Sequence, residues 1–244
     1  MAGVYVYGFV DAPSDDAPAF RASGVAGAPV SVLYEGAIGA LVSRAPGLPV
    51  AIAPDRLMVH EDVLERALAH HTVLPVAFGT VAATRAEVRA LIARHQSVIA
   101  AELERLRGRV ECAVKVYWRP QALLRELGAL AREVEEPERR GLDADVRRAL
   151  AIEVGQRTES VVERWRSRYA RSVLGPLEAA AQDSHLGEPI GPRMLYNAAF
   201  LVARGEDGAF RARVRQVADR FEQRLTLKFS GPLPPHNFVA LRLN

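Results

Sequence analysis

The feature that most constrains this fold is residues 231–235 near the C-terminus, whose sequence is Gly-Pro-Leu-Pro-Pro. Each proline fixes its own φ angle and disfavours the helical conformation for the residue before it, so a helix cannot pass through this stretch. On both sides of it, over 225–230 and 238–243, apolar residues alternate in a way that is typical of β-strands. The pattern therefore predicts two short strands joined by a stiff corner that is poor in hydrogen-bond donors.

The length and composition indicate an ordinary globular protein. The 244 residues suffice for one large or two modest domains, and 49% of them are apolar while 25% are charged. The single Cys112 excludes an internal disulfide framework, which fits a reducing cytosol. No uncharged apolar run approaches the ~20 residues that cross a bilayer, and the N-terminus lacks a signal-peptide pattern. We therefore expect a cytoplasmic protein without membrane contact.

The first half of the chain alternates strands and amphipathic helices. The predicted elements are a strand over 4–10, a hairpin over 30–43, a helix from about 54 to 71, a short strand over 73–78, a helix from 84 to about 107 and a strand over 110–117. The second of these helices opens on a capping box, Thr84 to Glu87, and places Leu91 and Val98 on its apolar face. Two helices packed on an antiparallel sheet make an α+β domain of ferredoxin-like type with an added strand, over residues 1–118.

The second half, residues 119–244, is predicted as a helix-rich α+β domain. Its expected elements are helices over 121–135, 143–174 and 209–224, a loop over 182–192, a strand over 194–202 and the two closing strands at the proline-rich corner. Trp165, Tyr169 and Val173 recur at helical spacing in the second of these helices, so we expect them to face the core.

No motif for catalysis, cofactor binding or metal binding is present in the sequence. Cys112 alternates with valines on one side of a predicted strand, which indicates a buried structural thiol. His70 and His71 are adjacent on a helix and point in different directions, and no HExxH, CxxC, phosphate loop or serine elbow occurs. We therefore predict a non-enzyme without cofactor or metal. Tyr5 and Tyr7 on a sheet leave nucleic-acid or small-ligand binding as an alternative function.

Four segments in order along the chain resemble the gas vesicle protein F/L family: Val4–Val10, Val73–Val81, Gly108–Tyr117 and Lys228–Val239. The resemblance implies a non-enzymatic accessory or minor structural protein of the cytoplasm and the gas vesicle. Such a protein binds the hydrophobic major shell protein, assists vesicle nucleation and assembly, and can contact other gas vesicle accessory proteins. We expect no nucleic-acid partner.

The sequence departs from the family pattern at four positions. Leu233 stands where the family often has Trp, His236 where it often has Tyr, Asn237 where Ser is usual and Cys112 where Trp is common. These differences concern contacts of the individual side chains and leave the expected fold unchanged.

The predicted partner surface comprises Leu74, Val76, Phe78 and Val81. The run that contains them is almost free of charge, and Pro75 indicates a bent strand or a strand at the sheet edge. An edge strand can accept another chain by strand addition, and an apolar groove can accept a helix. The same run is equally compatible with an ordinary buried strand.

Overall fold

The computed structural model describes residues 3–11, 20–47, 49–119, 121–122, 125, 128, 163–191 and 193–240. The chain divides into two compact units. The first consists of residues 1–111 together with 231–244, and the second of residues 112–230. The C-terminal residues thus return to the first unit, whereas we placed one boundary near residue 119. Whether the fragment 1–118 folds by itself stays a prediction.

The sheet of the first unit is antiparallel, with β1 at its centre. Its strands are β1 (Val4–Asp11), β2 (Ala22–Ser23), β3 (Pro29–Glu35), β4 (Ile38–Arg44), β5 (Val73–Pro75) and β6 (Val81–Ala82). They lie in the order β2-β3-β4-β1-β5, and β6 also pairs with β1. The predicted hairpin is confirmed, with Gly36 at a φ of 58° in its turn. The α+β class is confirmed as well, while the ferredoxin-like topology of this unit stays a prediction.

Three helices belong to the first unit: α1 (Pro54–Leu68), α2 (Arg85–Arg94) and α3 (Gln96–Leu106). Helix α1 buries His60, Val63, Leu64, Ala67 and Leu68. Together with the strands, these helices enclose a core of aromatic and branched apolar side chains that includes Tyr5, Tyr7, Val10, Leu41 and Val110.

The single helix predicted from 84 to 107 is wrong, because it breaks at His95 into α2 and α3. The buried residues of the two helices still recur at helical spacing across the break, at Val88, Ile92, Ile99, Leu103 and Leu106. Val98, which we placed on the same face, is 50% exposed. The capping box is confirmed: the Thr84 hydroxyl accepts a hydrogen bond from the Glu87 amide at 3.1 Å.

The second unit contains a four-stranded sheet. Its strands are β7 (Arg109–Trp118, which begins in the first unit), β8 (Asp183–Gly187), β9 (Met194–Ala203) and β10 (Leu225–Leu233), in the order β10-β7-β9-β8. The loop predicted over 182–192 is therefore wrong. Strand β8 carries little apolar sequence and is almost entirely exposed at the sheet edge, so it lacks the alternation that marks a half-buried strand.

Two helices of the second unit are described. In α4, residues 163–169 are α-helical, Ala170–Leu174 form a π-helical turn and Gly175–Glu178 return to α-helix. Helix α5 spans Asp207–Arg220. Trp165, Tyr169 and Val173 are buried as predicted. The helix predicted over 121–135 and the part of the 143–174 helix before residue 163 lie outside the described residues. Within the described ranges, no helix is long and apolar enough to cross a membrane.

The predicted corner over 231–235 is wrong, and residues 241–243 of the second predicted closing strand lie outside the described residues. Strand β10 continues through Gly231 and Pro232 to Leu233, and a 3₁₀ turn, His236–Phe238, follows it. Proline is tolerated there because β10 lies at the edge of its sheet. Pro234 and Pro235 then offer no amide hydrogen for another ladder.

Side chains of the first unit anchor the C-terminal segment, which we define as residues 236–240. Glu111 is only 3% exposed. Its carboxyl group accepts hydrogen bonds from the backbone amide of Asn237 at 2.9 Å and from the side-chain amide of Asn237 at 2.6 Å. The Arg105 guanidinium donates to the Phe238 carbonyl, and Phe238 itself is buried. This segment is therefore a structural part of the first unit.

We predict that the fragment 1–118 is less stable than the same fragment carrying residues 231–244 through a flexible Gly/Ser linker. Without the tail, Glu111 loses the donors of Asn237, which costs about 1–3 kcal/mol for a buried charged group. Urea unfolding followed by circular dichroism measures the difference. The linked fragment with Asn237→Ala serves as control and should fall between the two. Equal midpoints for all three fragments would contradict the anchoring role of the segment.

Candidate functional site

An open groove in the first unit is the candidate functional site. Three parts of the unit form its walls: helix α1, the segment that follows β5, and the C-terminal segment. The cavity has a volume of about 530 Å³. Its lining residues are His60, Glu61, Pro75, Val76, Ala77, Phe78, Thr80, His236 and Val239.

The wall after β5 is a tight turn that its own hydrogen bonds hold in place. The Val76 amide donates to the Tyr7 carbonyl at 3.1 Å, which continues the strand pairing by one residue. The amide and hydroxyl of Thr80 then donate back to the Ala77 carbonyl at 3.3 and 2.7 Å. Gly79, with a φ of 85°, supplies the left-handed conformation that this reversal requires. The turn presents Val76, Ala77 and Phe78 toward the groove.

The structure separates the four residues that we predicted at the partner surface. Leu74 is completely buried in β5, so its side chain belongs to the core and offers nothing to a partner. Val76 and Phe78 are half-buried and line the groove. Val81 is half-buried in β6, where it pairs with Tyr5 and lies outside the groove lining. Contact of Val76 and Phe78 with a partner stays a prediction.

The floor of the groove is a cluster of aromatic rings. The His60 ring lies 5.7 Å from Phe78, 5.8 Å from Tyr5 and 5.4 Å from Tyr7, measured between ring centroids. The Tyr5 hydroxyl accepts a hydrogen bond from the Gly79 amide at 3.0 Å and also forms a hydrogen bond with His60 Nδ1 at 3.0 Å. Tyr5 and Tyr7 are both fully buried, which removes them as a surface for stacking nucleic-acid bases.

Burial determines the protonation states of Tyr5 and His60 in the floor of the groove. It raises the pKa of Tyr5 to about 12, so the hydroxyl remains a donor at neutral pH. Burial also lowers the pKa of His60 below its ordinary value, although the nearby Glu61 carboxylate and the Val76 carbonyl act in the opposite direction. The floor is therefore uncharged at neutral pH, with a neutral imidazole at His60.

A glutamate–histidine pair lies on the rim. His236 Nε2 is 2.9 Å from the Glu61 carboxylate, and the two side chains are 35% and 44% exposed. Partial burial by itself would raise the pKa of Glu61, but the hydrogen bond and charge of His236 outweigh it and lower that pKa. The rim therefore carries an ionised carboxylate above an uncharged floor.

Sequence reasoning missed Glu61, His236 and Val239 as groove residues. Glu61 and His236 are 175 positions apart, and no local pattern connects them. The groove has apolar walls and one polar pair on its rim. Among the described residues, no group of three or more His, Cys, Asp or Glu side chains is placed to hold a metal ion. Cys112 is buried in the core of the second unit.

Sequence comparisons match the whole chain to one family. A sequence profile described as "Gas vesicle synthesis protein GvpL/GvpF" matches residues 3–240. Gas vesicle protein F of Streptomyces sp. (strain CB03234) is 31% identical over 245 residues, which cover 96% of this chain and 98% of the relative. Gas vesicle protein L of the same strain is 29% identical, over 97% of this chain and 92% of the relative.

Two crystal structures are similar in fold. Gas vesicle protein GvpF from Anabaena sp. PCC7120 matches with a TM-score of 0.81 at 24% identity, over 99% of this chain and 98% of that chain. GvpF from Microcystis aeruginosa matches with a TM-score of 0.78 at 26% identity, over 99% of this chain and 100% of that chain. The α+β fold described above is therefore also the fold of those structures.

The lowered pKa of His60 predicts a pH dependence of stability. The unfolded chain binds a proton near the ordinary value of 6.5, while the folded protein binds it at a lower pH. The contribution of His60 is therefore present above pH 6.5 and is lost as the pH falls through the folded pKa. We expect the free energy of unfolding to fall between pH 7.5 and 5.5, by up to about 1.4 kcal/mol per pH unit for one proton.

In His60→Gln this part of the slope should disappear, at the cost of a lower stability at pH 7.5. The control is His185→Gln, which changes an exposed histidine of β8 and should leave the slope as in the wild type. Chemical denaturation at a series of pH values measures both. Identical slopes for the wild type and His60→Gln would contradict a neutral, buried His60.

Proposed function

This chain belongs to the GvpL/GvpF family of gas vesicle synthesis proteins, and we propose that it acts there as a non-enzymatic assembly factor. In this role it binds the hydrophobic major shell protein in the cytoplasm and assists the nucleation and assembly of the vesicle. Other gas vesicle accessory proteins are further partners. The observation that carries the proposal is the groove of the first unit, with its apolar walls and uncharged floor.

The physical need for such a protein follows from the shell itself. A subunit that coats a gas phase exposes apolar surface before it is assembled, and exposed apolar patches aggregate unless they are covered. The groove offers Val76, Ala77, Phe78 and Val239 as apolar contact surface. Binding of an apolar segment in the groove gains about 25 cal/mol of favourable free energy per Å² of apolar surface removed from water.

Helix α1 extends this apolar surface beyond the rim. Leu57 lies one turn before Glu61 and is 37% exposed, and Met58 beside it is 72% exposed. Residues four apart share one face of a helix, so Leu57 continues the wall that Glu61 begins. Methionine adapts its shape to different partners, which suits a surface that receives an unassembled chain.

The geometry favours a helix or a compact apolar segment over an added strand. Strand β5 is three residues long, and all three are buried. Pro75 in addition has no amide hydrogen to offer a neighbouring strand. A groove with apolar walls instead accepts the apolar face of an amphipathic helix, with the rim pair available for its polar side.

We predict that Ala77→Asp weakens capture of the major shell protein without unfolding the chain. Ala77 is exposed, and its carbonyl already satisfies Thr80, so the new carboxylate disturbs no internal contact. A charge that an apolar partner must desolvate should reduce the retained shell protein at least about fivefold, equivalent to about 1 kcal/mol. Affinity co-purification after co-expression measures retention, and thermal melting measures stability.

Ala179→Asp is the matched control, because Ala179 is an exposed turn residue of the second unit. It should retain the shell protein like the wild type. The half-buried Val76→Asp tests the same wall from within the groove, with its melting temperature recorded alongside. If Ala77→Asp and Val76→Asp both remain folded and retain undiminished shell protein, the groove is not the binding surface.

A second prediction concerns the absence of chemistry. Cys112→Ser should leave vesicle formation within about twofold of the wild type, because the thiol is buried in the core, while stability falls by about 1 kcal/mol. Vesicle yield in a reconstituted expression host and thermal melting are the two measurements. Loss of vesicles with undiminished stability would contradict a non-enzymatic role for this residue.

A further inference from the structure

A second cavity, in the second unit, is lined by three arginines. It has a volume of about 360 Å³ and lies between helix α4 and the end of helix α5. We call it the arginine pocket. Its lining residues are Arg168, Tyr169, Ser172, Arg220, Phe221, Gln223 and Arg224.

The pocket is organised around the buried ring of Tyr169. This ring packs edge-on against Phe221, with 5.7 Å between centroids. Its hydroxyl accepts a hydrogen bond from Arg224 Nη1 at 2.7 Å, which fixes that guanidinium beside the cavity. Arg220 stacks over the Phe221 ring at 5.5 Å. Two of the three guanidinium groups are thus oriented by aromatic side chains.

Two arginines of the pocket, Arg168 and Arg220, have no acidic partner among the described residues. Arg168 and Arg220 form no ion pair with any described carboxylate, and no described lining residue is acidic. Elsewhere, arginines on helices commonly pair with an acid one turn away, as Arg66 does with Asp62 and Arg107 with Glu104. Arg168 and Arg220 are therefore two guanidinium groups with which an external anion can pair.

The backbone next to the pocket supplies an independent observation. Ser172 lies in the π-helical turn Ala170–Leu174, and Tyr169 is the residue that precedes this turn. The Ser172 hydroxyl donates to the Tyr169 carbonyl at 3.3 Å. Single π-helical turns interrupt regular hydrogen bonding and occur frequently at functional sites.

We propose that the arginine pocket binds the carboxylates of an acidic segment in a protein partner. Guanidinium forks match carboxylate geometry, and arginine and tyrosine are the residue types that dominate protein interfaces. All three arginines are exposed, whereas small-molecule sites bury most of their ligand. A partner that covers the pocket from outside therefore fits it better than a free small anion does.

Fluorescence anisotropy with the full-length protein tests this proposal. The probe is a labelled peptide of about twelve residues in which glutamates alternate with small apolar residues, and its counterpart has glutamine at every glutamate. We expect saturable binding of the acidic peptide and none of the glutamine peptide. In the double variant Arg168→Gln/Arg220→Gln, the Kd should rise about tenfold or more, as charge-assisted hydrogen bonds are lost.

The matched control is Arg213→Gln/Arg215→Gln, which removes the same charge from exposed positions of α5 outside the pocket. Its Kd should stay within about twofold of the wild-type Kd, because these substitutions reduce only the general charge attraction between protein and peptide. Equal weakening in both double variants would overturn the pocket as the site. Displacement of the peptide by equimolar inorganic phosphate or ATP would overturn the carboxylate ligand in favour of a phosphate-bearing one.

Discussion

The candidate site depends on the two hydrogen bonds that Asn237 donates to the Glu111 carboxyl group. A carboxyl group that is almost completely buried is tolerated when hydrogen bonds satisfy it, and Asn237 supplies two of them to Glu111. Once Asn237 is fixed, its neighbours have little freedom. His236 meets Glu61 on the rim and Val239 closes the wall. The groove therefore exists because a polar contact outside it positions the C-terminal segment.

The asparagine side chain at position 237 strengthens this contact with Glu111. The family pattern that the sequence resembles usually has serine there, and this chain has asparagine. The backbone amide can donate to Glu111 whatever the side chain is, but the asparagine side chain adds a second donor at 2.6 Å. Two parallel N–H donors facing one carboxylate fix its orientation as well as its position. The departure from the family pattern at residue 237 thus lies at a hydrogen bond with Glu111.

Local chemistry explains what could be predicted from the sequence. Thr84 and Glu87 form their cap within one helical turn, and the alternation from Val110 to Val116 marks a buried strand face without knowledge of the partner strands. Features that depend on distant residues were missed. Glu111, on the nominally outward side of that strand, is buried because Asn237 arrives from 126 residues away. The break at His95 and the exposed strand β8 likewise carry no periodic signal.

The same reasoning applies to the two cavities. Val76 and Phe78 could be selected from a charge-free run beside Pro75. Leu74 in that run is core because it lies within β5, whose three residues are all buried, whereas Val76 and Phe78 belong to the turn that follows. Arg168 lies on α4, Arg220 ends α5 and Arg224 lies in the turn after α5, and along the chain the last two are interleaved with Asp219 and Glu222. Their convergence around one cavity is a property of the folded unit.

The polar atoms in the floor of the groove explain how it can still receive an apolar partner. Covering a tyrosine hydroxyl or an imidazole with an apolar surface normally costs free energy, because the polar group loses its hydrogen bonds to water and gains none in return. Here the Tyr5 hydroxyl is satisfied by Gly79 and His60, so covering it removes no hydrogen bond to water. His60 Nε2 is buried and has no hydrogen-bond partner among the described residues, so covering the floor removes no contact with water from it either. With His60 neutral and Tyr5 protonated, the floor presents ring faces and no charge. The ionised carboxylate of Glu61 stays on the rim, where water and His236 solvate it while the apolar walls are covered.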